Sequence, residues 1–518
     1  MFKYFRLILL LLCSNIYVSD DLNMKGILKM TKQFIDKYIK IPLSLLLTLF
    51  LLTSCGIVAF NTPETEGATE TSVTIETEPP YQVSEYEQYD KNYSKELSRF
   101  LQEIPDADYG GGSFLIATPK PSLVLGDETV STVLSKNLET RNNYIQTEYN
   151  ITVSAKNVNP QIMFDEIKIA IKSVSYYADL IMIPQNELGR FAVAGCVTNL
   201  SSLPGFNANA KYYNASSVEA GGGKGKIYGV AGPASVDPDC LSAVFFNKSL
   251  MSEITEDNVY KLVRDGQWTW DKFLEYSNAV STIEGDYYSI GTQNTALYIE
   301  DLIFISAGMK YSSCDGVDLP KIAFTAETAD PIVELIKQVK NHEKKYTDNL
   351  SAISAFSSGN TLFLIDDLST MKTISSSICD WGVLPLPKKT AEQKAYTTLV
   401  SSEDALVYSV VPTVSDSQKS ANLLALLNIV AYGDTPEAYA EEALSYYLRD
   451  NSSAGMVETI INSATFDLVY GYSVSYDTIS TSTFQAIRYP SNGHRSVDYY
   501  LRAYGGSFNY AVQRLFGK

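Results

Sequence analysis

Apolar residues follow two rhythms along this chain. Phe114-Leu115-Ile116-Ala117 is an unbroken run between Gly110-Gly111-Gly112 and Thr118-Pro119, and it predicts a buried strand. Val130, Val133, Leu134, Leu138, Ile145 and Tyr149 then recur at helical spacing. Ile151-Thr152-Val153 predicts a second strand, residues 162–174 a second helix, and residues 179–183 a third strand stopped by Pro184. Strand and helix alternating in this way predict a parallel sheet with helices on its faces. Ligands of such sheets bind beyond the carboxyl ends of the strands. Thr118 and Lys120 after the first strand, and Gln185 and Asn186 after the third, are therefore candidate binding residues. Asn186 also reads as the N-cap of a following helix.

A second set of elements follows. Residues 241–246 predict a strand, and Thr269 an N-cap with Asp271 in the first turn and Phe273, Leu274 and Tyr276 continuing the helix. Ile332, Leu335, Ile336 and Val339 mark another amphipathic helix. Residues 361–365 form a strand pattern that runs into Asp366-Asp367. Residues 381–386 and 405–411 predict further strands, and 420–430 and 437–448 helices. Two α/β lobes with a helical C-terminal region are the natural architecture.

The N-terminus has a different character. Residues 41–52 (IPLSLLLTLFLL) are an apolar run too short for a comfortable membrane span but suited to a signal-peptide core, with Lys32, Lys37 and Lys40 ahead of it. Leu52-Thr53-Ser54-Cys55-Gly56 resembles a bacterial lipobox, which implies that Cys55 becomes the lipidated first residue of the mature protein. A second apolar run at 7–12 favours a true start at Met24 or Met30. Residues 61–80 are rich in Thr, Glu and Pro and hold no basic residue, so they cannot bury enough apolar surface to fold. Residues 1–54 are thus read as a signal peptide and 55–108 as a disordered tether.

Composition narrows the chemistry. Hydrophobic residues make up 45% of the 518 residues, which fits a globular protein. Against 59 Asp and Glu stand 41 Lys and Arg, a net charge of −18 that repels phosphate backbones and argues against nucleic-acid binding. The two histidines are His342, in a charged helix end, and His494, after an Asn-Gly turn; they leave no material for a Ser-His-Asp triad or a multi-His metal site. Beyond Cys13 and Cys55, the cysteines Cys196, Cys240, Cys314 and Cys379 are widely spaced without CxxC and read as buried free thiols rather than disulfides. Gly221-Gly222-Gly223-Lys224-Gly225-Lys226 is only superficially a phosphate loop. Ala220 stands where a Walker A motif needs glycine, and Ile227 replaces Ser or Thr. It reads as a flexible surface loop, and no cofactor is expected.

Several segments carry a resemblance. Lys226-Ile227-Tyr228-Gly229-Val230, Val244-Phe245-Phe246-Asn247-Lys248-Ser249-Leu250, Gly266-Gln267-Trp268-Thr269-Trp270-Asp271-Lys272-Phe273, Phe356-Ser357-Ser358-Gly359-Asn360-Thr361-Leu362-Phe363 and Gly382-Val383-Leu384-Pro385-Leu386-Pro387 occur in order. Behind a lipobox, this set resembles the extracellular solute-binding proteins of ABC importers, in the group that includes maltose-binding protein. The resemblance implies a non-enzymatic, two-lobed type 2 periplasmic-binding fold. Lobe 1 would comprise 109–240 and 385–430, and lobe 2 would comprise 241–384 and 431–518. Strands would cross between the lobes near 236–246 and 378–386, with a further crossing near 430–436. A hinge motion would close the lobes over the ligand. It also implies a monomer on the outer face of a Gram-positive-type membrane, held through Cys55, passing a solute to permease subunits.

Within that frame, residues 179–189 align without gaps to a family segment that carries ligand-binding residues, which supports Gln185 and Asn186. Asp366 and Asp367 match a ligand-facing position, or else cap a helix. Asp237 and Asp239 precede the first crossing, and either face the cleft or initiate the turn at Pro238. Ser401 and Ser402 precede a returning strand, and Ser402 is a further candidate. Sugar rings pack their C–H faces on aromatic side chains, and Tyr109, Tyr228 and Tyr298 are plausible members of such a site. All three tryptophans, Trp268, Trp270 and Trp381, fall in fold motifs, so the tryptophan platforms of maltose-type members are not matched. An oligosaccharide is the expected solute. A peptide or another polar solute is the alternative, and a lipid-anchored glycan hydrolase with paired carboxylates a more distant one. Residues 447–468, with Arg449-Asp450 and Phe466-Asp467-Leu468, are similar to a segment of surface-anchored members from Gram-positive gut bacteria. Arg449 and Asp450 read there as a cap or ion pair.

Overall fold

The computed structural model describes residues 96–127, 132–292, 298–344, 349–474 and 477–517. The expected signal peptide, Cys55 and residues 55–95 of the expected tether lie outside them. The main elements run β1 (Gly112–Thr118), α1 (Val133–Tyr149), β2 (Ile151–Asn157), α2 (Pro160–Ser173), β3 (Leu180–Pro184), β4 (Ser242–Asn247), α3 (Trp270–Ala279), β5 (Tyr288–Thr292), α4 (Ile299–Ser306), α5 (Ala326–His342), α6 (Asn349–Ser357), β6 (Thr361–Asp367), β7 (Trp381–Leu384), β8 (Leu406–Ser409), α7 (Ser417–Ala431), α8 (Asp434–Tyr446), α9 (Asn451–Asn462), α10 (Asp477–Ser491) and α11 (Val497–Phe516).

Two sheets organise the chain. In the first the order is β8-β3-β1-β2. β1 pairs in parallel with β2 from Gly112↔Ile151 to Thr118↔Asn157, and with β3 at Ile116↔Leu180. β8 returns antiparallel to β3, with Leu406 opposite Pro184. In the second sheet the order is Glu343–Lys344, β5, β6, β4, β7. Here β4 runs antiparallel to both neighbours, with Asp367 opposite Ser242 and Leu384 opposite Val244. The bridge Val230↔Tyr408 extends the first sheet beyond β8, and the bridge Leu241↔Val400 ties the crossing segments together between the sheets.

Side-chain alternation along a strand explains the core. Phe114 and Ile116 of β1, with Leu180 and Met182 of β3, face Leu423, Leu424 and Leu427 of α7. Ala117, Ile181 and Ile183 point to the other face, against Met163, Ile167, Leu188 and Phe191, and this cluster continues into the core of the second sheet. The strands are apolar on both faces because both faces are covered. The tryptophans are interior, and each indole donates to a fixed acceptor: Trp268 to the Pro385 carbonyl (2.9 Å), Trp270 to Ser306 Oγ (3.0 Å) and Trp381 to the Ile374 carbonyl (3.1 Å).

Local chemistry sets the helix starts. Thr132 accepts from the Ser135 amide and opens α1, and Thr269 accepts from the Lys272 amide and opens α3 as the sequence predicts. Three sequence expectations are corrected. The folded body begins before residue 109, because a helix over 96–101 buries Phe100, whose ring meets Tyr212 and Tyr432 edge-on at 5.5 and 5.4 Å. The glycine-rich stretch is no flexible loop: Gly222–Gly223 pairs with Lys226–Ile227 in a hairpin. The Lys224 amide donates to the Asp318 carbonyl at 3.0 Å and the Gly225 amide to Gly316 at 2.7 Å. Gly222 has no room for a Cβ, which would sit 2.0 Å from the Lys226 carbonyl oxygen. Asn186 caps nothing. It lies inside the turn Gln185–Glu187, and the helix Leu188–Val193 starts without a side-chain cap. Cys196, Cys240, Cys314 and Cys379 are free thiols. Among the described residues, no helix is long and apolar enough to cross a membrane.

Candidate functional site

Six segments far apart in sequence are stitched together where the two sheets meet. β1 ends at the fully buried Thr118, whose hydroxyl accepts from the Lys120 amide at 3.1 Å and turns the chain. The Lys120 ammonium then reaches Asp237 Oδ2 at 2.9 Å. Asp237 Oδ1 accepts from the Asp239 amide at 3.1 Å, which starts the turn Pro238–Cys240. Asp239 pairs with Lys372 and accepts from the Tyr439 hydroxyl at 2.6 Å. Lys372 sits in the short helix after β6, and two backbone bonds press the turn before it onto the crossing: Leu368 N to the Leu241 carbonyl (2.9 Å) and Ser369 N to the Asp239 carbonyl (3.3 Å). Asn186 N donates to the Ser402 carbonyl at 3.0 Å, and Ser401 N to the Cys240 carbonyl at 3.2 Å. Ser401 Oγ donates to Asp404 at 2.8 Å.

The carboxylates at the end of β6 complete the cluster. Asp366 is buried, and its oxygens accept from Thr370 Oγ1 (2.5 Å) and the Asp367 amide (2.8 Å). Asp367 accepts from the amide and hydroxyl of Ser369. Neither caps the helix Thr370–Ile374, whose N-cap is Ser369 without a side-chain bond, so the helix-cap reading fails; their bonds pin the turn at 367–370 instead. Burial pushes the Asp366 carboxyl up to about 7, with the charge of Asp367 adding to the effect against the Thr370 hydrogen bond. Burial raises Asp367 as well, opposed by the Ser369 hydrogen bonds and reinforced by Asp239 and Asp404. For Lys120 burial acts downward, but Asp237 outweighs it and the ammonium is held above its ordinary range. Lys372 is raised in the same way, by Asp239. Burial pushes the Cys240 thiol well up, so it stays a thiol in the centre of the cluster.

The result is a patch with five carboxyl groups, two ammonium groups and a phenol hydroxyl. Carboxylates are acceptors only, while ammonium groups are donors only. A guest with many hydroxyls, each able to donate and accept, meets both needs at once.

Of the sequence candidates, Thr118, Lys120, Asn186, Asp237, Asp239, Asp366, Asp367 and Ser402 come together here. Gln185 does not turn outward: it is 2% exposed and its amide donates to the Asp467 carbonyl at 2.9 Å. Tyr228 is half-buried on the hairpin side, its amide bonded to the Gly221 carbonyl at 2.9 Å. Tyr109 stands at the opposite end of β1, beside Tyr149. Tyr298 is 54% exposed, and the Arg488 guanidinium lies over its ring at 3.8 Å. Sequence reasoning missed Lys372, Asp404, Tyr439 and Cys240. Asp404 lay two residues past a chosen serine. Lys372 and Tyr439 announce themselves only through Asp239, which no local pattern reveals.

Two α/β lobes joined by crossing strands, with a polar cluster at their junction, are the architecture of a solute-binding protein. The family described as bacterial extracellular solute-binding proteins matches residues 142–450, and the chain belongs to it. Among solved structures, a family 1 extracellular solute-binding protein from Bifidobacterium longum subsp. infantis has a TM-score of 0.50 at 12% identity, covering 77% of this chain and 100% of that one. A cyclic alpha-maltosyl-1,6-maltose binding protein from Arthrobacter globiformis has a TM-score of 0.49 at 15% identity, covering 78% and 99%. At 12% identity the likeness to the Bifidobacterium protein is one of fold. No curated protein matches the sequence.

Proposed function

We propose that this protein captures an oligosaccharide between its lobes and hands it, unchanged, to the permease subunits of an ABC importer. It would work as a monomer without a cofactor, tethered outside the membrane by lipid on Cys55. Lobe 1 would comprise 109–240 and 385–430, extended by the helix at 96–101. Lobe 2 would comprise 241–384 and 431–518. Membership of the solute-binding family supports capture without chemistry.

One observation carries the sugar reading. Lys120 after β1 with Asp237 of the first crossing, and Asp367 and Lys372 from the end of β6, converge on a single patch of charged donors and acceptors. Such groups hold hydroxyls in fixed directions, and each half of the patch belongs to a different sheet. Closure would desolvate the guest and let both halves act together.

Isothermal titration of the full chain with maltose, maltotriose and other neutral oligosaccharides, and with tripeptides and amino acids in parallel, tests the reading. A sugar should bind, and Asp237→Ala should weaken it by about tenfold or more, near the cost of a hydrogen bond to a charged group. Binding of peptides alone would overturn the ligand class, and a sugar released in cleaved form would overturn transport.

A further inference from the structure

We propose that a second groove, lined by the glycine hairpin and by residues 314–316, binds a neutral saccharide independently of the Lys120–Asp237 patch. The groove has a volume of about 910 Å³, inside the roughly 300–1,000 Å³ range of small-molecule sites. It shares no lining residue with that patch.

Its floor is built by bonds between two distant stretches of chain. The hairpin amides of Lys224 and Gly225 donate to the carbonyls of Asp318 and Gly316, and the Cys314 amide donates to Glu219 Oε1 at 3.1 Å. Gly225 and Gly316 have φ of +75° and +77°, and nothing lies within 4 Å of where a Cβ would stand on either. Bare backbone therefore faces open space, where a guest can approach closely.

The wall holds an unmet demand. Tyr213 lines the groove, is 3% exposed, and its hydroxyl has no hydrogen-bond partner. A buried polar group in that state costs free energy until something bonds to it. Burial pushes this phenol well above its ordinary pKa, so it keeps its proton and can donate. Asn209 and Asn462 present exposed amides at the rim. The charges lining it offset one another: Lys211 and Lys226 stand against Glu219 and Asp315. Neutral amides and a phenol match a guest whose hydroxyls donate and accept, and give no hold on a net charge.

Cys314 supplies a reporter, because it lies in the groove and is less buried than Cys196, Cys240 and Cys379. Alkylation of the full chain by iodoacetamide, resolved by peptide mass spectrometry, would be followed with and without maltose or sucrose at millimolar concentration. Sugar should slow labelling of Cys314 several-fold. Tyr213→Phe, which removes only the unpartnered hydroxyl, and the exposed Asn209→Ala should each abolish that protection, and Lys120→Ala should leave it intact. Unchanged labelling with both sugars would overturn the proposal. So would protection that Lys120→Ala removes and the groove variants keep, since that pattern assigns the effect to the patch between the sheets.

Discussion

Asp366 illustrates how burial can defeat a carboxylate that keeps its partners. It accepts from Thr370 and from the Asp367 amide, yet desolvation dominates and its pKa rises from 3.8 to about 7. Its neutral form is the one the fold favours. Below 3.8 the group is protonated in both folded and unfolded chains, and its stabilising contribution is complete. Between 3.8 and about 7 the unfolded chain loses the proton while the folded one holds it, so the contribution falls as pH rises and is gone above that window. Asp366→Asn supplies a neutral side chain of the same shape and abolishes this fall. In urea unfolding, the variant should gain on the parent by about 2–3 kcal/mol between pH of about 5 and about 8. Parallel pH profiles for the two proteins would show that the carboxyl is already ionised in the fold.

Helix α9 shows how one residue can start an element and fasten it to another. Asp450 Oδ1 accepts from the Ser453 amide at 2.8 Å, while Oδ2 takes the Lys248 ammonium at 2.7 Å and the Tyr260 hydroxyl at 3.3 Å. Asp450→Ala removes the cap, worth about 1 kcal/mol, and leaves Lys248 with Asp380 at 3.7 Å and Tyr260 with Ser453, for a total loss of about 1–3 kcal/mol. Asp450→Asn keeps an oxygen for the cap, and chemical denaturation should find its loss about half as large. Equal losses would mean that the Lys248 pair alone matters. The sequence reading of Asp450 as cap or ion pair was right in both senses, because caps and strand alternation are short-range and show in a few consecutive residues. The β1 to β3 run and the Thr269 helix start were legible for the same reason. The fate of Gln185 was not, since its partner Asp467 lies 282 residues away. Glycine misled at the hairpin: the same residue permits a mobile loop or a close backbone approach, and only the stretch it docks against decides. The helix at 96–101 was missed because its apolar side chains are few and gain their meaning from Tyr212 and Tyr432.

At the scale of the molecule, the junction must both hold and bend. The bridge Leu241↔Val400 is an isolated pair, far shorter than the ladders within either sheet, and it is where a hinge between the lobes would bend. The candidate patch straddles that narrow zone. Lys120 follows a strand of the first sheet and Lys372 one of the second, and each is tied to the crossing segment between them through Asp237 and Asp239. A guest held from both sides would make closure part of binding, because only a closed form would offer every contact. Lys120→Ala and Lys372→Ala should each lower affinity for the bound solute by about tenfold. Small-angle scattering should show the parent becoming more compact with solute, and the Lys372→Ala protein compacting less at equal occupancy. If Lys372→Ala leaves both affinity and compaction untouched, the guest is held by the first sheet and its neighbouring turn alone, and closure serves some purpose other than capture.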